Sequence, residues 1–440
     1  MARELASWGR YPYFPQERHP CAWQSELPTL LRRLAENPQG TLPYGNGRSY
    51  GDSCLALSGE LLQTRQLDRL IAADWDTGVV RAEAGVTLAE ILAVAIPRGW
   101  FLPVTPGTKF VTLGGALAND VHGKNHHLRG TFGRHVRRFS LLRSDQQEPQ
   151  ICSTQENSEL FRATIGGLGL TGVITWIELQ LMRVASSQID SITVRFDSLS
   201  EFFALSEEFD RTHEYTVAWI DCLAKGNSAG RGVFSVGNHA RDGQLQFDGR
   251  TRLSVPLTPP LSLMNGLSLK LFNNAYFHLH KPGRHSSRGS YDPFFYPLDS
   301  ILHWNRIYGR KGFQQYQCVI PDPAAETVMT EILASISSSS SGSFLAVMKR
   351  CGNVPSPGLM SFPMPGVSLA LDFPQRQHLE AGLFQRLDQI VRTAGGRLYP
   401  AKDAHMSADD FRAFYPAWQQ VDALRDPALL SQFWKRVTQA

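Results

Sequence analysis

Two kinds of hydrophobic pattern run along this chain, and they meet near residue 186. In the first part, VVRAEAGVTLAEILAVAIPRGW (79–100) reads as a short strand, a turn and then a helix. Leu88, Ile91, Leu92, Ala95 and Ile96 fall on one helical face. Thr87 and Glu90 have the spacing of a capping box, and Pro97 with Gly99 ends the run. SELFRATI (158–165) has a helical period, and GLTGVITWIELQLM (169–182) is a β-rich run that closes this first unit.

From Ser186 the pattern changes. ITVRFDSLSEFFALSEEF predicts a strand followed by a helix, and YTVAWIDCLA, QQYQCVIP, SFLAVMKRCG and GVSLALDFP predict further strands. AAETVMTEILASI predicts a helix. Apolar strands with interspersed helices predict an α+β fold, a sheet covered on one face by helices. Two stretches break the pattern. GRHSSRGSYDPFFYPL (283–298) predicts a long loop of the kind that serves as a lid, and SSSSSGS (337–343) a flexible surface loop.

Composition narrows the classes. Of 440 residues, 42% are hydrophobic and 19% charged, which predicts a globular chain. A formal net charge of +4 excludes a generally basic nucleic-acid coat and leaves room for a local anion site. The most membrane-like stretch, LSLMNGLSLKLFNNAYF (261–277), is interrupted by Asn265, Lys270, Asn273 and Asn274, so no span is expected. The first twenty residues lack the apolar core of a signal peptide. Six scattered cysteines with no C-x-x-C pair predict free thiols in a reducing compartment, hence a cytoplasmic protein.

The chemistry-bearing residues cluster in glycine-rich stretches. GNGRSYGD (45–52) has the composition of a backbone nest for an anion such as a pyrophosphate, with Gly45, Gly47 and Gly51 allowing close approach and Ser49 offering a hydroxyl. PGT (106–108), LGGALANDVHG (113–123) and GGLGLTGVIT (166–175) are similarly small-sided, and four such loops suit a long cofactor threaded between them. GLGLTG (167–172) fits G-x-G-x-x-G, but a helical run precedes it and a strand follows. That inverts the order a dinucleotide fingerprint requires. His122 and His126 have a metal-ligand spacing, yet Gly123 and Asn125 disfavour the helix that would unite them, so no metal is expected.

GNGRSYGD, TPGTKFVTLGGALANDVHGKNHH, GGLGLTGVIT and GGRLYPAKD, in this order, resemble FAD-dependent oxidoreductases of the vanillyl-alcohol-oxidase superfamily. HGKNHH and the terminal RLYPAKD are similar to its polyprenyl-phosphoribose 2-oxidase branch, with AWID, QYQC and SFPMPG extending the likeness over nearly the whole chain. The resemblance implies a two-part FAD domain, residues 1–185 and a returning segment 395–440, around a substrate domain, 186–394, with an antiparallel sheet. It implies that Gly45, Asn46, Gly47, Arg48, Ser49, Tyr50, Gly51 and Asp52 hold the FAD pyrophosphate. Gly107, Thr112, Gly114, Gly115, Asn119, His122 and Ile174 would line the rest of the cofactor, with Tyr399 near the flavin. Many members attach FAD through a histidine in the first loop; Arg48 occupies that position here, implying noncovalent FAD.

The reaction implied is oxidation of the 2-hydroxyl of a polyprenyl-phosphoribose to a 2-keto sugar. A separate NAD(P)H-dependent reductase would then complete epimerisation to the arabinose form. Lys402 is the first candidate for an essential site residue, with Tyr50 and His122 next as hydrogen-bond partners or proton relays. Gln315 and Gln317 alternate on a strand and so share a face; with Trp219 and Lys349 they are candidates for the substrate pocket, Lys349 toward the phosphate. Arg284, Arg288, Phe294 and Phe295 in the 283–298 loop would meet a phosphate-linked lipid at a membrane surface. Ala370 and Ser368 depart from the cysteine and asparagine of mycobacterial relatives. An oxidase of free alditols, sugars or lactones, and a noncatalytic glycolipid-binding scaffold, are the alternatives.

Overall fold

Strand pairing divides most of the chain between two large sheets, joined across one shared cavity. The computed structural model describes residues 4, 7–249, 253–339, 341–376 and 379–439. A small parallel sheet comes first, with β1 (Glu17–Pro20) and β2 (Leu42–Tyr44) on either side of β3 (Glu60–Gln63). A five-stranded antiparallel sheet follows, built from β4 (Leu70–Asp74), β5 (Val79–Glu83), β6 (Val136–Leu142), β7 (Gln150–Ser153) and β8 (Val173–Gln180). Its spatial order is β4-β5-β8-β6-β7.

Between β5 and β6 lie α1 (Leu88–Ala95) and α2 (Leu113–Ala118). The Thr87–Glu90 capping box forms as its spacing predicts: Thr87 Oγ1 accepts the Glu90 amide and Glu90 Oε2 accepts the Thr87 amide. Gly99, in a left-handed conformation (φ 77°), ends the turn that follows α1. GLGLTG lies between a helix, Ser158–Thr164, and strand β8, in the inverted order.

The second half forms β9 (Gln188–Phe196), α3 (Leu199–Phe209), β10 (Tyr215–Ile220), β11 (Gly232–His239), α4 (Gly266–Leu279), β12 (Arg284–Ser290) and α5 (Tyr291–Phe295). It continues with β13 (Phe313–Pro321), α6 (Ala325–Ser338), β14 (Ala346–Cys351), β15 (Gly366–Pro374), α7 (Gln385–Thr393) and β16 (Arg397–Leu398). Its eight strands make one antiparallel sheet in the order β12-β9-β11-β10-β14-β15-β13-β16. The fold is α+β.

Strand parity decides what each face of this sheet does. Tyr316, Cys318 and Ile320 of β13, Leu369, Leu371 and Phe373 of β15, and Ala346 and Met348 of β14 pack into the main core under α3, α6 and α7. Their alternate neighbours face the other way: Gln315 and Gln317, Ser368 and Ala370, Val347 and Lys349. Register sets these side by side, since Gln315 pairs with Asp372, Gln317 with Ala370, and Lys349 with Ser368.

One expected loop is made of ordered elements, and the other is partly taken up by a helix. Residues 283–298 form β12 and α5 rather than a lid. Arg284 is bonded to Glu208, and Arg288 to Asp190 and Asp242. Phe295 is buried, and Phe294 packs on Lys124. Lys109 pairs with Asp292, and Thr105 Oγ1 lies 2.7 Å from the Tyr296 hydroxyl, so this segment is anchored to the first unit. The serine run is absorbed at its start by α6, and its last residue, Ser343, is buried and accepts the Asp372 amide at 3.0 Å. Ser340 lies outside the described residues.

The chain then returns to its beginning. Leu430 O accepts the Leu57 amide, and in α8 (Gln432–Thr438) Arg436 pairs with both Asp52 and Asp403.

Candidate active site

The polar face of the eight-stranded sheet and the glycine loops of the first unit enclose a cavity of about 1060 Å³. Its size sits at the top of the ~300–1,000 Å³ range usual for small-molecule sites. Gly45, Asn46, Gly47, Arg48, Ser49 and Tyr50 line it from the first loop. Gly107, Thr112, Gly114, Gly115, Asn119 and His122 line it from the α2 region, and Ile174 from β8. Gln315, Gln317, Lys349, Tyr399 and Lys402 complete the expected set.

Three expected residues lie outside the lining. A Cβ on Gly51 would fall 1.7 Å from the Asp403 carbonyl oxygen, so this glycine serves the return of the C-terminal segment. Asp52 is buried against Arg436. Trp219 shares the parity of the lining residue Val217, but its ring packs on Tyr276 and its Nε1 donates to Phe344 O.

Lys402 is held by the tight turn after β16, where its amide bonds Tyr399 O at 3.0 Å and the Tyr50 amide bonds Ala401 O. Its Nζ lies 3.7 Å from the centroid of the Tyr50 ring. Burial pulls the ammonium far below its usual range, and the neighbouring Asp372 carboxylate pulls partly back. Burial drives Asp372 upward, against the opposing effects of Gln315 and Lys402. Gln315 Nε2 donates to Asp372 Oδ1 at 2.5 Å, while Oδ2 has no hydrogen-bond partner among the described residues. Burial raises the Tyr50 phenol well above its normal range, so the ring stays neutral.

A second cluster surrounds His122. Lys349 donates to His122 Nδ1 and to Gly123 O, and Gln317 lies 3.1 Å from His122 Nε2. A ring nitrogen that accepts from Lys349 leaves the hydrogen on the other, so Gln317 meets Nε2 best through its amide oxygen. The imidazole is flanked by Phe362 and Tyr399, whose hydroxyl donates to Asn119 O at 2.8 Å. Burial first, then the charges of Lys349, His126 and Lys402, hold His122 well below its usual range and thus neutral. Burial also lowers Lys349 to about 8. Lys124, on the same cavity wall, falls to about 7 through burial and then Lys349.

The residues present fit FAD. A Cβ on Gly45 would lie 2.3 Å from Thr112 Oγ1, so the missing side chain lets the first loop close on α2; at Gly107 nothing lies within 4 Å and the backbone is open to the cavity. Arg48 stacks over Trp8, 4.2 Å from the ring centroid, and its buried Nε has no partner among the described residues. A buried guanidinium with an unmade hydrogen bond on a cavity wall suits a phosphate anion.

The sequence alone did not single out Asp372 or the cavity-lining residues Lys124, Trp8, Phe110 and Trp304. Asp372 was legible from alternation alone, two and four residues beyond Ala370 and Ser368. Lys124 stands inside HGKNHH, where a lone lysine reads as surface charge. Trp8, Phe110 and Trp304 lie in separate segments and carry no local signal.

Residues 21–147 match the FAD binding domain family. The chain is 35% identical over 418 residues to the decaprenylphosphoryl-β-D-ribose oxidase of Mycolicibacterium smegmatis, covering 90% of this chain and 88% of that protein. It is 32% identical over 354 residues to an uncharacterized protein in the mprA 5′ region of Streptomyces coelicolor, across 77% of this chain and 95% of that protein. A D-lactate dehydrogenase of Anaerostipes hadrus is 22% identical, across 43% of this chain and 40% of its own. Fold and site together are those of an FAD-dependent oxidoreductase of the vanillyl-alcohol-oxidase type. Within that class, the chain belongs to the decaprenylphosphoryl-β-D-ribose oxidase family.

Proposed function

We propose that this protein oxidises the 2-hydroxyl of a polyprenyl-phospho-β-D-ribose to the 2-keto sugar, the first half of an epimerisation to the arabinose form. A separate NAD(P)H-dependent reductase carries out the second half. The observation that carries the reading is a lysine, Lys402, on the cavity wall with its Nζ 3.7 Å from the centroid of the Tyr50 ring.

FAD is held noncovalently. Arg48 stands in the first loop, and both ring nitrogens of His122 are engaged by Lys349 and Gln317. Bound FAD supplies the two-electron acceptor for the hydride leaving the sugar carbon. Lys402, neutral for part of the time near neutrality, takes the hydroxyl proton through Nζ. Asp372 and the face of Tyr50 stabilise the positive charge that results. Lys124 and Lys349 are buried lysines, Lys349 protonated for most and Lys124 for part of the time near neutrality, whose bonds run to carbonyl oxygens and His122, with no ion pair among the described residues. In this reading their protonated forms receive the substrate phosphate. The reaction occurs at the cytoplasmic face of the membrane, where the six unpaired cysteines stay reduced.

The test is anaerobic stopped-flow absorbance of the oxidised-flavin band after mixing with a short-chain polyprenyl-phosphoribose, ribitol or ribose 5-phosphate. Bleaching by the lipid-linked sugar alone is expected. Bleaching by ribitol at equal or lower concentration would move the protein to the polyol oxidases. Lys349→Met should raise the concentration needed for half-maximal bleaching more than it lowers the limiting rate. The reverse pattern would remove Lys349 from phosphate binding.

A further inference from the structure

Helix α4 sits on the surface with apolar residues on its outer as well as its inner side. A surface helix ordinarily buries an apolar stripe and turns polar residues outward. Here Asn273 is buried, its Nδ2 donating to Asp221 Oδ1 at 3.0 Å and Ser343 O at 3.2 Å, beside Leu269 and Phe277. Leu267, Leu271, Phe272 and Leu279 face out, Leu267 and Leu279 at 70% and 77% exposure. The segment leading into the helix does the same: Leu257 and Leu261 are 78% and 76% exposed. Isolated apolar side chains on a surface are ordinary, but a contiguous set is not.

This surface is continuous with the active-site cavity. Val255 and Leu263 bond through their amides to Leu302 O and Ile307 O, and Pro256, Leu257, Ile301 and Leu302 form part of the cavity wall. Beneath α4, ring contacts run without a break from the surface to the reaction site. Phe272 meets Phe344 (5.6 Å), Phe344 meets Tyr308 (6.2 Å), Tyr308 meets Phe313 (4.1 Å), and Phe313 meets Tyr50 (5.3 Å).

Charge selects the occupant. From Gly249 to Tyr291 the sequence holds no Asp or Glu and six Lys or Arg: Arg250, Arg252, Lys270, Lys281, Arg284 and Arg288. Arg284 and Arg288 are neutralised by Glu208, Asp190 and Asp242. No ion pair among the described residues involves Lys270, which lies between the exposed leucines of α4, or Lys281 just beyond it. Exposed leucines rimmed by unpaired lysines match the apolar boundary and anionic headgroups of a bilayer. A second copy of the chain would bring the same lysines face to face and is disfavoured.

We infer that the outer face of α4, together with the 253–263 segment, is the surface on which this protein docks to an anionic bilayer, opening the cavity toward the lipid. The choice of a lipid partner rests in part on the polyprenyl-phosphate substrate proposed above. The expected contact thus moves from the 283–298 segment, which is paired and anchored, to 253–281.

The test is co-sedimentation of the FAD-loaded protein with vesicles of phosphatidylcholine and phosphatidylglycerol, about 3:1, or of phosphatidylcholine alone. The protein should bind the anionic vesicles at least about tenfold more tightly, with binding released by added salt. Leu267→Glu with Leu271→Glu, and separately Lys270→Glu with Lys281→Glu, should each weaken that binding more than about tenfold. Flavin absorbance and bleaching by a water-soluble short-chain substrate should be unchanged in both.

Wild-type protein that ignores both vesicles overturns the inference, as does a leucine double variant that binds like the wild type. A dimer that the leucine variant dissociates, without vesicle binding, assigns the face to a second copy instead. Should the leucine variant fail to fold, the lysine pair and the salt titration decide. Vesicle binding lost as expected, with no bleaching by any polyprenyl-phosphoribose, upholds the docking face and removes the substrate reading alone.

Discussion

In the proposed reaction, Lys402 owes its role as base to where the chain folds, not to its own chemistry. In water a lysine is a poor base near neutrality because almost all of it is protonated. Burial against Tyr50 disfavours the ammonium and makes the neutral amine available. Lys402→Ala should therefore slow flavin reduction by about 10²–10⁴-fold while leaving FAD content and visible spectrum intact. A variant reduced at the wild-type rate in stopped flow would end its catalytic assignment. Asp372 tests the same argument from the other side. Its carboxylate raises Lys402, so Asp372→Asn should lower the lysine's pKa. Since the active base is the neutral form, the acid limb of the reduction rate should move to lower pH. A limb that stays in place or moves up excludes Asp372 as the group that positions and tunes Lys402.

Elements place these residues through strand parity and through closure of the chain's two ends. Four strands, β10, β14, β15 and β13, contribute residues of one parity to the cavity wall, while the alternate residues build the core under α3, α6 and α7. This much was legible in part, since Gln315 and Gln317 alternate in sequence. Their neighbours were not, because register between strands distant in the chain is fixed by pairing and burial rather than by local sequence. Closure depends on α8. Arg436 joins Asp52, directly after the first glycine loop, to Asp403, directly after Lys402. Removing one partner of a buried ion pair costs about 3–5 kcal/mol. Arg436→Met should thus lower the urea midpoint substantially and loosen FAD, measured as flavin fluorescence released at lower denaturant. A midpoint within error of wild type would show that the returning segment is held by its apolar contacts alone.

At the scale of the whole molecule, the cavity belongs to neither large sheet alone. The glycine loops supply one wall and the eight-stranded sheet the other, with Lys109–Asp292 and Thr105–Tyr296 fastening them. A ligand that fills such a cleft stabilises both sides together. Deflavinated protein should melt at lower temperature than reconstituted protein, and FAD at about 100 times its Kd should contribute about 2.7 kcal/mol. Scanning calorimetry should show one transition moving as a unit. An unchanged melting temperature on adding FAD would remove the cofactor from the cavity.

The sequence by itself determined the family and the short-range devices: the capping box at Thr87, the inverted context of GLGLTG, and glycine loops beside HGKNHH and RLYPAKD. Each depends on residues close together in the chain, whose spacing already fixes their local geometry. Tertiary structure alone decided that Gly51 makes room for Asp403, that Asp372 stands beside Lys402, that residues 283–298 are anchored, and that α4 shows its leucines to the outside. The reason is common to all four. Whether a glycine meets a ligand or a backbone, a carboxylate nears a lysine, a loop pairs, or a leucine is covered depends on what other segments of the folded chain bring to it, and no local pattern encodes that partner.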